Sequence, residues 1–341
     1  MVFRSASVFL KGRLIVTPHL PSLSLFVGLL GFMPLLVAFL PATAKAQSSV
    51  TLYGYLDLGL VKQSGESAGV ARGYNNWLGV HGKEDLGGGL NAIFRLETRF
   101  NPDTGETERP RTFWQGESTV GLQSDTYGTL RLGRALTPLW DAAWQYEPWI
   151  NSGFNASLAA YQTGSYTTDG IHDTALSFAD ATRISQGVYY QSPKWHGFFL
   201  NTAIKAARDP DARTKVRSGS MNYAAQDWSA VLAHEVNARS DDITYLAGKY
   251  KMQALTVMGS WTNHRLADAG RERVWLTAGT YDIGRHMLRA GYGKNQENGQ
   301  HKASTGYVHK LSKRTSLYAD VYRERQDRYR NGLALGMTHS F

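Results

Sequence analysis

From about residue 50 to the end, the sequence alternates apolar and polar residues in one segment after another, and a period of two restricts such a chain to β structure. In "VTLYGYLDLGL", Val50, Leu52, Leu56, Leu58 and Leu60 share one face, while Thr51, Tyr53, Tyr55 and Asp57 share the other. "GLNAIFRLETRF" sets Leu90, Ala92, Phe94 and Leu96 against Asn91, Arg95, Glu97 and Arg99. "TSLYADVYRE" and the terminal "GLALGMTHSF" repeat the pattern. About sixteen such segments can be marked, beginning near residues 50, 76, 89, 112, 128, 183, 197, 216, 228, 243, 253, 273, 286, 302, 315 and 332. After Ala46 no apolar run approaches the ~18 residues of a membrane-spanning helix. The 35 glycines and 12 % aromatic residues agree with a β-rich chain.

Short connections such as "EDLGGG" alternate with long polar ones such as "NPDTGETERPR", which puts the long loops at one end of a meander. Alternation alone also fits a soluble sandwich with one wet face. The strands are long, however, and few helices are available to cover so large a sheet. Charged residues recur on the polar face from strand to strand. A closed membrane barrel satisfies these features together: apolar residues meet lipid, charged residues line water, and no strand edge is left unpaired.

The first 46 residues have a different character. Arg4, Lys11 and Arg13 precede an apolar stretch from about Leu23 to Leu40, and Ala44-Lys45-Ala46 has the small-x-small pattern of a cleavage site. The expectation is a cleaved signal peptide over 1–46 and a barrel domain over 47–341, with a membrane anchor as the alternative. The unusually long basic region suggests that translation starts downstream of Met1. Taking these three residues and Lys45 from the 37 basic ones leaves 33 against 28 acidic, a mature net charge of +5. With no basic run or recognition module, that mild excess does not indicate nucleic-acid binding. The absence of cysteine excludes a disulfide scaffold and thiolate metal sites.

One stretch, residues 135–182, lacks alternation. Its aromatics, among them Trp140, Trp144, Tyr146, Trp149, Tyr161 and Tyr166, require something to pack against. A loop folded against the inner wall would bring Asp141, Glu147, Asp169 and Asp173 into the lumen. An external cap, or a contact with a neighbouring subunit, is the alternative.

The stretches "SSVTLYGYLDLGL", "GKEDLGGGLNAIFRLE", "YGTLRLGRALTPLWDA", "RISQGVYYQSPKWHGF", "HKLSKRTSLYADVY" and "GMTHSF" occur in an order that resembles the general diffusion porins of Gram-negative bacteria, of the trimeric β-proteobacterial type. The resemblance covers about 48–341. It implies an all-β fold, a 16-stranded antiparallel transmembrane β-barrel with an inward-folded third loop. It also implies a homotrimer in outer-membrane lipid and passive flow of small hydrophilic solutes. The terminal aromatic, Phe341, would be the outward residue that the outer-membrane assembly machinery reads.

In porins of this type, the resemblance implies, strands supply the basic residues of the constriction and the third loop its acids. By position the basic candidates are Arg95, Arg131, Arg134, Arg183 and Lys83, each of which would otherwise be a solvated charge near a rim. Trp77 and His81 fall where relatives often carry basic residues; both should line the pore, with His81 otherwise a neutral polar lining residue. The expectation is weak anion selectivity. A substrate-specific channel would share this fold and differ in its loops. A barrel enzyme is the rival class, because "GESAG" around Ser67 matches the nucleophile pattern G-x-S-x-G. That motif needs a strand-turn-helix setting, whereas Ser67 lies in a polar loop. An adhesin or purely structural barrel would be closed to ions. The ten histidines show no metal-ligand spacing, and the sequence implies no cofactor.

Overall fold

The structure is a computed structural model that describes residues 48–341 except 74, 110–111, 150–155, 172–180 and 269. The expected signal segment, 1–46, therefore lies outside the described residues, as does Asp173. In chain order the strands before the long loop are β1 (Ser49–Gln63), β2 (Gly69–Arg72), β3 (Trp77–Gly87), β4 (Leu90–Asn101), β5 (Glu106–Thr107), β6 (Glu117–Ser124) and β7 (Gly128–Leu136). The loop carries two short helices, α1 (Pro138–Ala143) and α2 (Ala160–Thr163). The remaining strands are β8 (Arg183–Gln191), β9 (Phe198–Lys205), β10 (Arg217–Ala224), β11 (Trp228–Val236), β12 (Asp242–Met252), β13 (Leu255–Leu266), β14 (Gly270–Ile283), β15 (His286–Asn295), β16 (His301–Lys310), β17 (Thr315–Arg325) and β18 (Tyr329–Ser340).

All pairings are antiparallel, and the sheet closes. β1 pairs with β3 from Ser49↔Lys83 to Tyr55↔Trp77, and its other edge takes β18 from Tyr55↔Ser340 to Gln63↔Gly332. The short β2 pairs with β1 beyond the end of β3, and β5 pairs with the end of β4; the other sixteen strands make the closed barrel. Closure satisfies every strand edge, which is what permits a sheet to sit in hydrocarbon. The tight β3–β4 turn is made possible by Gly87, Gly88 and Gly89, all at positive φ.

Leu60, Val120, Leu132, Leu200, Leu246, Val257, Leu288, Val321 and Leu335 are among the exposed residues of the apolar parity and form its outer belt. The strand seam is locked on both faces. Outside, Phe341 exchanges two backbone hydrogen bonds with Gly54 (3.1 and 3.2 Å), and its ring covers the space that a Cβ at Gly54 would need. Inside, the Tyr318 ring lies over Gly336 and the Tyr322 ring over Gly332; glycine leaves the pleat open for an aromatic on the adjacent strand.

The inner face is not uniformly charged, in contrast to what its recurring charges suggested. On β11–β14 it presents Val231, Ala233, Ile243, Tyr245, Ala247, Met258, Leu276 and Ala278, all buried. The reason is the long loop: Leu139, Trp140, Ala142, Ala143, Tyr146 and Tyr166 pack on the first of these residues, and Trp149, Ala156, Leu158 and Tyr161 on the last. The loop aromatics thus remove their own surface and that of the wall from water.

Candidate functional site

Beside the loop, β4, β6, β7 and β8 project charged side chains into a cavity of 430 Å³, which β3 borders through Trp77 and α1 through Pro138 and Asp141. Period-two geometry places Arg95 and Glu97 on the same face of β4, beside Glu117 of β6, and Arg131 of β7 completes the row. Arg95 donates to Glu97 at 3.0 Å and lies 3.5 Å from Glu117; Arg131 reaches Glu117 at 2.5 Å. Tyr53 is the hinge of the network. Its hydroxyl donates to Glu97 at 2.9 Å and accepts from Arg95 Nε at 2.7 Å. The carboxylates lie behind the guanidiniums: the side chains of Arg95 and Arg131 are 45 % and 34 % accessible, those of Glu97 and Glu117 only 9 % and 11 %. Water in the cavity therefore meets positive charge first.

Of the other basic candidates, Arg183 also lines this cavity. It is buried and donates to Gly116 O at 2.6 Å and to Thr182 Oγ1 at 2.8 Å. Arg134 is placed apart, donating to Gln115 O at 3.0 Å and Ser185 Oγ at 2.7 Å beside a register shift between Gly133 and Ala135. Lys83 is exposed opposite Ser49, near the short-turn end. Trp77 lines the cavity and stacks on Tyr55, with 4.8 Å between ring centroids. His81 is exposed, its ring 5.4 Å from that of Tyr53.

The loop acids separate in the same way. Asp141, in the first turn of α1, is exposed to the cavity. Glu147 instead is enclosed by its own loop: it accepts from Ser157 Oγ at 2.8 Å and from the backbone N–H groups of Trp149 and Leu158, both at 3.2 Å. Burial pushes its carboxyl up, against the pull of these hydrogen bonds. Asp169 caps a turn by accepting from Ile171 N at 3.0 Å.

Several residues of this site were not candidates from the sequence. Glu97, Glu117 and Arg99 line the cavity. Arg289 and Asp320 form a fully buried ion pair at 2.8 Å that holds the loop. Trp149 Nε1 donates to Asp320 at 3.1 Å, and Arg289 donates to Pro148 O at 3.0 Å. Gly306 lies between the paired strands, where a Cβ would strike Asp320 and come within 2.9 Å of Arg289 Nε. Further along, Gln162 donates to Tyr245 OH at 3.1 Å, Tyr161 to Glu324 at 3.0 Å, and Ser165 Oγ to Glu272 at 2.6 Å. Among the described residues no group of three or more His, Cys, Asp or Glu could hold a metal ion. Ser67 is exposed between β1 and β2, with no helix following it.

A closed antiparallel barrel with an apolar outer belt and a charged, wet inner wall is the architecture of an outer-membrane channel. Residues 35–329 match the Gram-negative porin family, and the chain belongs to that family: it is an outer-membrane channel protein and not an enzyme. It is 30 % identical to an outer membrane porin protein of Bordetella pertussis over 207 residues, 54 % of this chain and 50 % of the relative, so the match spans half of that protein's length. It is 27 % identical to outer membrane porin protein 32 of Delftia acidovorans over 306 residues, 82 % of this chain and 84 % of the relative. The anion-selective porin from Comamonas acidovorans has the same fold, with a TM-score of 0.73 at 21 % identity, covering 86 % of this chain and 100 % of that one.

Proposed function

We propose that the protein is a general diffusion porin, a homotrimer whose subunits each pass small hydrophilic solutes with a weak preference for anions. In this reading residues 135–182 are the inward-folded constriction loop, 1–46 are a cleaved export signal, and Phe341 is what the outer-membrane assembly machinery recognises. The observation that carries the selectivity is the greater accessibility of Arg95 and Arg131 over the carboxylates they pair with. The charge count supports it. Arg95, Arg99, Arg131 and Arg183 stand against Glu97, Glu117 and Asp141 around the cavity, four cations to three anions. Opposed charges across a narrow aqueous path set up a transverse field that orders dipolar solutes and disfavours apolar ones.

The test is planar-bilayer conductance of the purified protein with the reversal potential read in a KCl gradient. Ohmic steps in threes with a modest anion preference are expected, and Arg95→Gln with Arg131→Gln should move the reversal potential toward cations. A channel that is strongly cation-selective before any substitution would refute the assignment of the basic wall.

A further inference from the structure

The outer face of β14–β18 is not apolar along its whole height. Cross-strand register places Trp275, Lys294, His301, Arg325 and Tyr329 directly opposite one another in a single row over five strands. Their parity is that of the exposed Leu288, Val321 and Leu333, so the row belongs to the outside of the barrel. The next row toward the membrane contains Tyr292, Ala303, Arg323 and Asn331. Below it the same face turns apolar, beginning at Val321 and Leu333. The cations therefore form a band between the lipid belt and the connections 296–300 and 326–328, at the end of the barrel that carries the long loops.

The way these cations are held distinguishes them from others at the same end. Arg265 is neutralised by Asp242 at 2.9 Å, and Arg273 by Glu297 at 2.6 Å. Among the described residues no carboxylate forms an ion pair with Lys294, Arg323 or Arg325. Tyr329 supports two of them instead, with Arg323 Cζ at 4.4 Å and Arg325 Cζ at 5.9 Å from its ring centroid. An aromatic face positions a guanidinium without consuming its hydrogen-bond donors. His301 sits between the rings of Tyr292 and Tyr329, at 5.9 and 6.3 Å.

We propose that this band is a binding site for the phosphorylated headgroup of a lipid in the outer leaflet of the outer membrane, with Arg323, Arg325 and Lys294 as its phosphate ligands. Long loops mark the outer end of such a barrel, which fixes the leaflet. A lipid whose chains lie on the Val321–Leu333 belt carries its headgroup to the height of the two cationic rows. Guanidinium forks match phosphate oxygens, and the surrounding tyrosines and Trp275 suit the interfacial level.

The test is native mass spectrometry of the purified, detergent-solubilised protein titrated with bisphosphorylated lipid A, and separately with the same lipid after removal of both phosphates. Arg323→Gln with Arg325→Gln should weaken binding of the phosphorylated lipid roughly thirtyfold and leave the dephosphorylated one unaffected. Arg265→Gln, at the same end but already neutralised in the native protein, should change neither. Heat-modifiable migration and unchanged single-channel conductance would show that the double variant is folded and its pore intact. That control also separates failure of this site from failure of the porin reading. Equal binding by wild type and double variant would overturn the proposal, as would equal binding of the two lipids by the wild type. Displacement of the lipid by millimolar inorganic phosphate would also overturn it, in favour of a free-anion site. Should the double variant not fold, Lys294→Gln and the salt dependence of wild-type binding decide the matter. Binding insensitive to both refutes the site.

Discussion

Replacing Asp320 by alanine should release the tip of the long loop. The carboxylate has two charge-assisted hydrogen bonds from Arg289 Nη2, at 2.8 and 2.9 Å, and one from Nε at 3.1 Å, besides that from Trp149. Removing it takes the directly paired carboxylate from a guanidinium with no accessible surface. Breaking a buried ion pair from one side costs ~3–5 kcal/mol. At ~1.4 kcal/mol per factor of ten, the ratio of undocked to docked loop rises roughly a hundredfold to several thousandfold. The strands keep their ladders, so the barrel should survive. The readout is single-channel current: Asp320→Ala should show flicker between two or more levels where the wild type is quiet, and limited proteolysis should cut within 135–182. The double variant Arg289→Met with Asp320→Leu removes both charges and should flicker less than Asp320→Ala. Quiet, protease-resistant channels from Asp320→Ala would refute the view that this pair holds the loop, as would a double variant noisier than the single one.

Other expectations follow from the same geometry. Glu108, just after β5, is held below the ordinary glutamate value; burial raises its pKa, but Arg99 at 3.0 Å and Arg72 at 2.7 Å outweigh it. A lowered folded-state pKa contributes stability above the unfolded value that is lost as pH falls through the folded one. Thermal stability should therefore drop more steeply for wild type than for Glu108→Gln on acidification below about pH 4.5, and parallel curves would count against it. Gly336→Val puts a branched side chain where the Tyr318 ring lies; the refolded yield and melting temperature should both fall, and a neutral result would mean that the ring moves freely. Deleting Phe341 removes two seam hydrogen bonds and the ring over Gly54, so heat-modifiable barrel should accumulate more slowly in a refolding time course. Unchanged kinetics would assign the residue no part in closure.

The strands were legible because lipid outside and water inside impose a strict period of two. Starts read at 50, 128, 183 and 286 fall at Ser49, Gly128, Arg183 and His286. The start read at 112 is the largest displacement, at Glu117, because "TFWQG" before it is aromatic without alternating. Parity also brought Arg95, Arg131 and Trp77 to one cavity. It could not show that Glu97 and Glu117 stand behind those arginines, since parity gives a face and not a depth. Glu147 was read as a lumen acid because a loop has no period from which to tell an inward carboxylate from one bonded to its own backbone. Arg289 and Asp320 were missed for a related reason: they meet across an intervening strand, and only the glycine at 306 hints at the space between them.

The loop's contacts impose an order on assembly. The helices α1 and α2 dock on β9–β15, and Trp149 bonds to a residue 171 positions further along the chain. None of those strands has been made when the loop leaves the ribosome, and none forms a wall until the sheet curls. The loop therefore remains undocked until those strands arrive, and its Trp149 end until β17 does; contacts so distant in sequence form late and slowly. An insertion intermediate lacking β17 and β18 is then wider than the finished pore and lacks the acceptor for Trp149. For the channel proposed above, narrowing is then the final event of maturation, and a nascent barrel that stalls before its seam closes is a leak.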